Sequence, residues 1–154
     1  MATATDYDLL LAQADAITSG EPDLIANLSN LSALVYEALE DVNWVGFYLT
    51  RAPETLVLGP FQGKVACLRI DFGKGVCGTA AATRETQRVI DVHEFPGHIA
   101  CDSASNSEVV VPLIVNDQVV GVFDLDSPSV GRFSVADAEG LTRLGRFIET
   151  LNWT

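Results

Sequence analysis

Hydrophobic spacing changes character twice along the chain, and the changes mark its elements. From Thr5 to Ile17 the apolar positions Leu9, Leu10, Ala12, Ala16 and Ile17 suit a helix that Gly20 would end. Glu21-Pro22-Asp23 restarts the chain, with Pro22 acceptable at a first helical position. Leu24, Ile25, Leu28, Leu31, Leu34, Val35, Ala38 and Leu39 then recur at spacings of three and four. This is the clearest amphipathic helix in the sequence, and its stripe is expected to cover a sheet. After Asp41 the period becomes two. Trp44, Gly46 and Tyr48 alternate with Val45, Phe47 and Leu49, as in a strand with two distinct faces.

Turn chemistry at Arg51-Ala52-Pro53-Glu54 leads into two further predicted strands, Thr55 to Leu58 and Val65 to Ile70, around Gly59-Pro60 and Gly63. A glycine-rich loop, Asp71 to Gly78, runs into a short helix from Thr79 to Thr83 at most, and Gln87 to Val92 reads as another strand. Glu94 to Ser107 has no periodicity of its own, and connections of that length inside a compact domain are usually functional. Glu108 to Val115 and Gln118 to Leu125 are strands joined at Asn116-Asp117, a two-residue hairpin signal. Ser134-Val135-Ala136-Asp137 resembles a capping box that opens a last helix, with Leu141, Leu144, Phe147, Ile148 and Leu151 on its inner face. Helices, then mostly antiparallel strands, then a helix predict an α+β fold with helices packed on one sheet. With no repeat, low-complexity segment or linker, residues 1–154 are expected to form one domain.

Composition narrows the partners. With 48% hydrophobic and 19% charged residues the chain is globular rather than disordered. A net charge of −12 argues against nucleic acid or an anionic membrane surface, since both need clustered Lys and Arg. No apolar run is long enough to span a bilayer, and Leu9-Leu10-Leu11, preceded by Asp6 and Asp8, is not a signal peptide. Three cysteines are an odd number and too sparse for a secreted disulfide scaffold, so free thiols in the cytoplasm are expected.

The cysteines and acids carry the candidate chemistry. There is no C-x-x-C, and neither His93 nor His98 completes a zinc-finger spacing, so no structural metal site is expected. Cys77 follows the glycine loop at a possible helix N-terminus, where thiol pKa values fall, and local electrostatics favour it as the reactive thiol. Cys101 lies in the polar run His98 to Glu108, an odd place for a residue that usually behaves as a buried hydrophobe. On these grounds the choice between them stays open, and Cys67 reads equally well as an inert thiol on an alternating strand. Asp124 and Asp126, two apart, share one face of their strand, and the hairpin brings the start of its partner, Glu108, beside them. Converging carboxyls would raise at least one pKa, leaving one acid protonated as a donor while others bind an ammonium group. Trp44 and Tyr48 make an aromatic wall with a gap at Gly46. The glycine loop lacks a P-loop ending and is better suited to offer backbone N–H groups to an anion such as a carboxylate.

Four runs of residues extend this reading. Gly73-Lys74-Gly75-Val76-Cys77-Gly78-Thr79-Ala80-Ala81, Asp91 to Asp102, Ser105-Asn106-Ser107-Glu108 and Gly121-Val122-Phe123-Asp124-Leu125-Asp126-Ser127 closely resemble the free methionine-(R)-sulfoxide reductase family, built on a single GAF domain. The match extends from Thr5 to the final helix. The resemblance implies a GAF-like fold with the N- and C-terminal helices packed on one face. It implies an enzyme that reduces the R epimer of free methionine sulfoxide, with Cys101 as nucleophile, Cys67 as recycling cysteine and Cys77 in a secondary part. Glu108, Asp124 and Asp126 match substrate-binding acids, and Trp44 and Tyr48 the wall around the substrate's methyl group. It also implies no metal or organic cofactor, a Cys101–Cys67 disulfide reopened by an external dithiol such as thioredoxin, and a homodimer. A GAF-type sensor that binds a ligand without turnover, or a thiol redox sensor, are the rival readings.

Overall fold

The computed structural model describes residues 4–97 and 104–154. Helices α1 (Tyr7–Thr18) and α2 (Leu24–Ala38) are followed by strands β1 (Trp44–Ala52), β2 (Thr55–Gly63) and β3 (Arg69–Asp71), helix α3 (Gly75–Thr83), strand β4 (Gln87–Val89), a 3-10 turn at Val92–Glu94, strands β5 (Ser107–Val115) and β6 (Gln118–Ser127), and helix α4 (Val135–Ile148). The strands form one six-stranded sheet in the order β3-β2-β1-β6-β5-β4, every neighbouring pair antiparallel. The α+β architecture is the one the hydrophobic pattern predicts.

The central strands are buried on both faces, and their two-residue alternation sorts two different environments. Val45, Phe47 and Leu49 of β1, Val109, Val111 and Leu113 of β5, and Phe123 and Leu125 of β6 pack with Leu10, Leu28, Leu31, Val35, Leu141, Leu144 and Ile148. Helices α1, α2 and α4 therefore cover this face, an apolar layer with few polar side chains. The opposite face carries Trp44, Tyr48, Val110 and Val122 against the small-residue helix α3 and the segments beside it. That second layer is thinner and holds the acids.

Local signals account for most boundaries. Asp23 caps α2 by accepting a hydrogen bond from the Ala26 N–H, so Pro22 lies before the cap rather than at the first helical position. Asn116 and Asp117 both adopt positive φ, 52° and 63°, as a two-residue hairpin requires. Ser134 and Asp137 form a full capping box at the start of α4.

Other segments depart from the pattern. Strand β2 continues through Gly59-Pro60 because the register steps from Gly46↔Phe61 to Tyr48↔Leu58, placing two residues of β2 opposite one of β1. The proline sits in this bulge, where its missing N–H breaks no ladder bond. The expected strand from Val65 to Ile70 contracts to β3, and Cys67 lies off the sheet. Val65 and Leu68 face solvent, and the backbone of this stretch is held by side-chain donors from β1. The expected strand from Gln87 to Val92 shortens to β4, the chain turning at Val92. Helix α3 starts at Gly75 rather than Thr79, so the end of the glycine loop is the helix's first turn.

Candidate active site

Strand register gathers the acids on the thinner face. Glu108 pairs with Asp126, and Val110 with Asp124, across β5 and β6. On the other side of β6, Trp44 of β1 pairs with Asp126 and Gly46 with Asp124. Cross-strand partners point to the same side of a sheet. Glu108, Asp124, Asp126, Trp44 and Tyr48 accordingly line one pocket, closed from the opposite side by Lys74, Gly75, Val76 and Cys77 at the start of α3. Val65, Ala66, Ile70 and Ser105 also line it. The pocket is small, with a cavity volume of about 60 Å³, and it opens to solvent.

The acid cluster is the dominant electrostatic feature. Glu108 and Asp124 are buried. Burial first, and then the charge of Asp124, pushes the Glu108 carboxyl well above the usual carboxylate range. Burial and then Asp126 do the same for Asp124. Two polar atoms in this pocket, Asp124 Oδ1 and Ser105 Oγ, are buried without a hydrogen-bond partner. Orphaned groups of this kind are uncommon in native interiors and fit a polar ligand that completes them.

The aromatic residues do more than form a wall. Trp44 stacks on Tyr48 at 5.9 Å and on Phe61 at 5.1 Å between ring centroids. Gly46 leaves no opening between them. A Cβ there would collide with the backbone and Cβ of Phe61 and with Pro60 O, so the glycine serves the close approach of β2. Trp44 Nε1 donates to Lys64 O at 3.1 Å, and Tyr48 Oη donates to Cys67 O at 3.0 Å. Burial and the neighbouring Asp124 charge push the Tyr48 phenol up, which keeps it a donor.

The cysteines occupy three situations. Cys77 is a buried free thiol whose Sγ lies 3.9 Å from Glu108 Oε2. The structure reverses the lowered pKa expected for Cys77 at a helix start. Burial raises its pKa well above the ordinary value, and the charges of Asp124, Glu108 and Asp126 raise it further. Helix position lowers a thiol pKa only where the thiol is not desolvated among anions. Cys67 is disulfide-bonded and sits in the segment 64–68 held by Trp44 and Tyr48. Cys101, the expected nucleophile, and His98 lie outside the described residues. Just after them, Asn106 Nδ2 donates to Pro128 O, Asn106 Oδ1 is 2.9 Å from His93 Nε2, and Ser105 enters the pocket.

Several site residues escaped the sequence pattern. Lys74, read there only as part of a glycine loop, lines the pocket, and it gives α3 no side-chain cap. Phe61 joins the aromatic stack from a strand the pattern ended too early. Cys77, Glu108 and Asp124 also bring one potential ligand atom each within 4.8 Å of one another, a cluster that no sequence spacing announces.

A glycine-bounded small-residue helix over an antiparallel sheet, with a polar pocket between them, is the arrangement of a GAF domain, and a GAF domain model matches residues 25–150. The free methionine-R-sulfoxide reductase of Escherichia coli is 58% identical over 130 residues, 84% of this chain and 78% of that protein. That of Saccharomyces cerevisiae is 51% identical over 146 residues, 90% of this chain and 81% of its own length. The structure of free methionine-R-sulfoxide reductase from Neisseria meningitidis in complex with its substrate superposes with a TM-score of 0.90 at 44% identity, covering 97% of this chain and 92% of that one. The chain belongs to the free methionine-R-sulfoxide reductase family.

Proposed function

We propose that this protein reduces free L-methionine (R)-S-oxide to methionine. The observation that carries the proposal is the buried carboxyl cluster, in which Asp124 Oδ1 has no hydrogen-bond partner, set in a pocket beside an aromatic wall and a helix start. An ammonium group would meet the acids. The substrate's carboxylate would meet the first N–H groups of α3, which have no side-chain cap. Both groups are lost in a peptide, and the buried partners would then stay unpaired, which restricts the reaction to the free amino acid.

The reaction we propose runs through Cys101. A neighbouring carboxyl, protonated because its pKa is raised, donates a hydrogen bond to the sulfoxide oxygen. The Cys101 thiolate takes that oxygen, so the substrate sulfur is reduced, methionine leaves, and Cys101 becomes a sulfenic acid. The Cys67 thiol then condenses with it, a water departs and a disulfide forms. An external dithiol of the thioredoxin kind reduces the disulfide and is itself oxidised, as suits a cytoplasmic enzyme. The disulfide-bonded state of Cys67 and the free state of Cys77 support this division of labour. A homodimer is part of the same reading and rests on the family resemblance.

The decisive measurement couples NADPH oxidation, through thioredoxin reductase and thioredoxin, to added methionine sulfoxide. Turnover is expected with the free R epimer alone. Tight binding of the free R epimer without turnover would instead make the protein a sensor. Cys101→Ser is expected to abolish single-turnover methionine release, and Cys67→Ser to keep one turnover and stop there. Equal single-turnover losses in both variants would contradict the assignment.

A further inference from the structure

The proposed reaction leaves one buried nucleophile without a task. Cys77 is 5% exposed, a free thiol, and its Sγ is 3.9 Å from Glu108 Oε2. Asp124, 4% exposed, adds a carboxyl whose Oδ1 has no hydrogen-bond partner. One donor atom from each of Cys77, Glu108 and Asp124 lies within 4.8 Å of the other two. We infer that these three side chains form a binding site for one thiophilic divalent cation of the zinc class.

The donor set selects the ion. A thiolate with two carboxylates suits zinc or cadmium, whereas magnesium and calcium are hard ions that prefer shells of oxygen alone. The three donors come from α3, β5 and β6, elements that pack directly on one another, so little ordering is needed to assemble them. The metal takes the place of the Sγ proton and of any proton held by the two carboxyls, these protons leave to bulk water, and no electron moves. Three protein donors leave further coordination on the side that faces the pocket. Glu108 and Asp124 are also the groups that would receive a substrate ammonium. The cation and the substrate therefore exclude each other, and the ion acts as an inhibitor. That last consequence rests on the proposed reductase reading, whereas the metal site does not.

The test uses the full-length protein carrying Cys67→Ser and Cys101→Ser, reduced with a phosphine, so that Cys77 is its one thiol. Cadmium ion alone is titrated and followed by the ultraviolet absorbance of the cadmium–thiolate bond. One equivalent is expected to saturate the band. Adding Cys77→Ala is expected to remove it, and adding Asp124→Asn to weaken binding at least tenfold, with circular dichroism showing a folded chain in each. A Cys77→Asp version, which keeps an anionic donor, is expected to retain binding by calorimetry without the band. Absence of a band in the single-thiol protein, or an unchanged affinity in Asp124→Asn, overturns the site. In the same single-thiol protein, which lacks the thiols that would reduce it, free L-methionine (R)-S-oxide is expected to raise the apparent cadmium Kd in proportion to its concentration. Metal binding that passes the variant tests but ignores the oxide would uphold the metal site and reject the substrate's placement at these acids.

Discussion

At Asp124 a buried carboxyl works against the stability of the fold. Its carboxyl and that of Glu108 titrate higher in the folded chain than in the unfolded one. The folded state thus binds more protons above the ordinary carboxylate range, and stability falls as pH rises through that range. Asp137 has the opposite sign. Burial opposes its ionisation, but hydrogen bonds from Ser134 and Tyr7 and the charge of Arg132 outweigh that and lower its pKa. Its contribution is present above the unfolded value and is lost as pH falls through the folded one. In chelator-treated protein, thermal unfolding is expected to show greatest stability on the mildly acid side of neutrality. Asp124→Asn is expected to be more stable than wild type at neutral pH by about 1 kcal/mol, with a flatter pH profile, while its KM rises roughly thirtyfold or more from the lost partner of a buried charge. A less stable Asp124→Asn would show that the charge costs the fold nothing. The acid cluster itself was legible from the sequence, because a two-residue strand period and a hairpin turn suffice to bring 108, 124 and 126 together. The upward shift of the Cys77 thiol was not, because it depends on α3 lying over β5 and β6, a tertiary fact.

At the scale of elements, helix α4 and the segment 64–68 illustrate opposite ways of being held. Helix α4 is fixed by packing and by its cap, where Asp137 accepts from Ser134 and from Tyr7 Oη at 2.7 Å. Gly145 lets it approach β5, and a Cβ there would lie 2.6 Å from Val111 Cγ1. Gly145→Ala is expected to destabilise the fold by roughly 1–3 kcal/mol through overpacking, measurable by urea unfolding, with kcat little changed. The segment 64–68 meets the sheet backbone at Leu68 O, which accepts from Leu58 N at 3.0 Å, and two aromatic donors of β1 hold the Lys64 and Cys67 carbonyls. Tyr48→Phe keeps the ring and removes one donor. We expect it to slow disulfide closure about tenfold relative to methionine release, read by rapid quench and mass spectrometry, if one hydrogen bond of ~1.5 kcal/mol positions Cys67. Equal slowing of both steps would place Tyr48 in substrate binding alone. Periodicity could not have predicted this arrangement, since Val65 to Ile70 alternates like a strand and only its partners reveal that it is not one.

For the whole molecule, the helix-covered layer is the larger apolar core and the thinner layer holds the pocket. Hydrogen exchange is expected to be slowest in β1, β5 and β6, each buried on both faces, and fastest among the described residues in 64–68, whose amides stand outside the sheet. Uniform protection across β1 and 64–68 would contradict this division. No helix among the described residues is long and apolar enough to cross a membrane.

The alternation along β6 also bears on how this protein can change over time. Asp124 and Asp126 line the pocket and Val122 packs in the thinner layer on the same face, while Phe123 and Leu125 sit in the helix-covered apolar layer. Substitutions at the even positions can retune recognition without disturbing the odd ones. Inserting or deleting one residue would exchange the two sets and drive carboxylates into the helix-covered core. Strand β6 therefore behaves like a reading frame, open to point changes and closed to shifts, and a designer seeking a new ligand should rewrite alternate positions and leave its length alone.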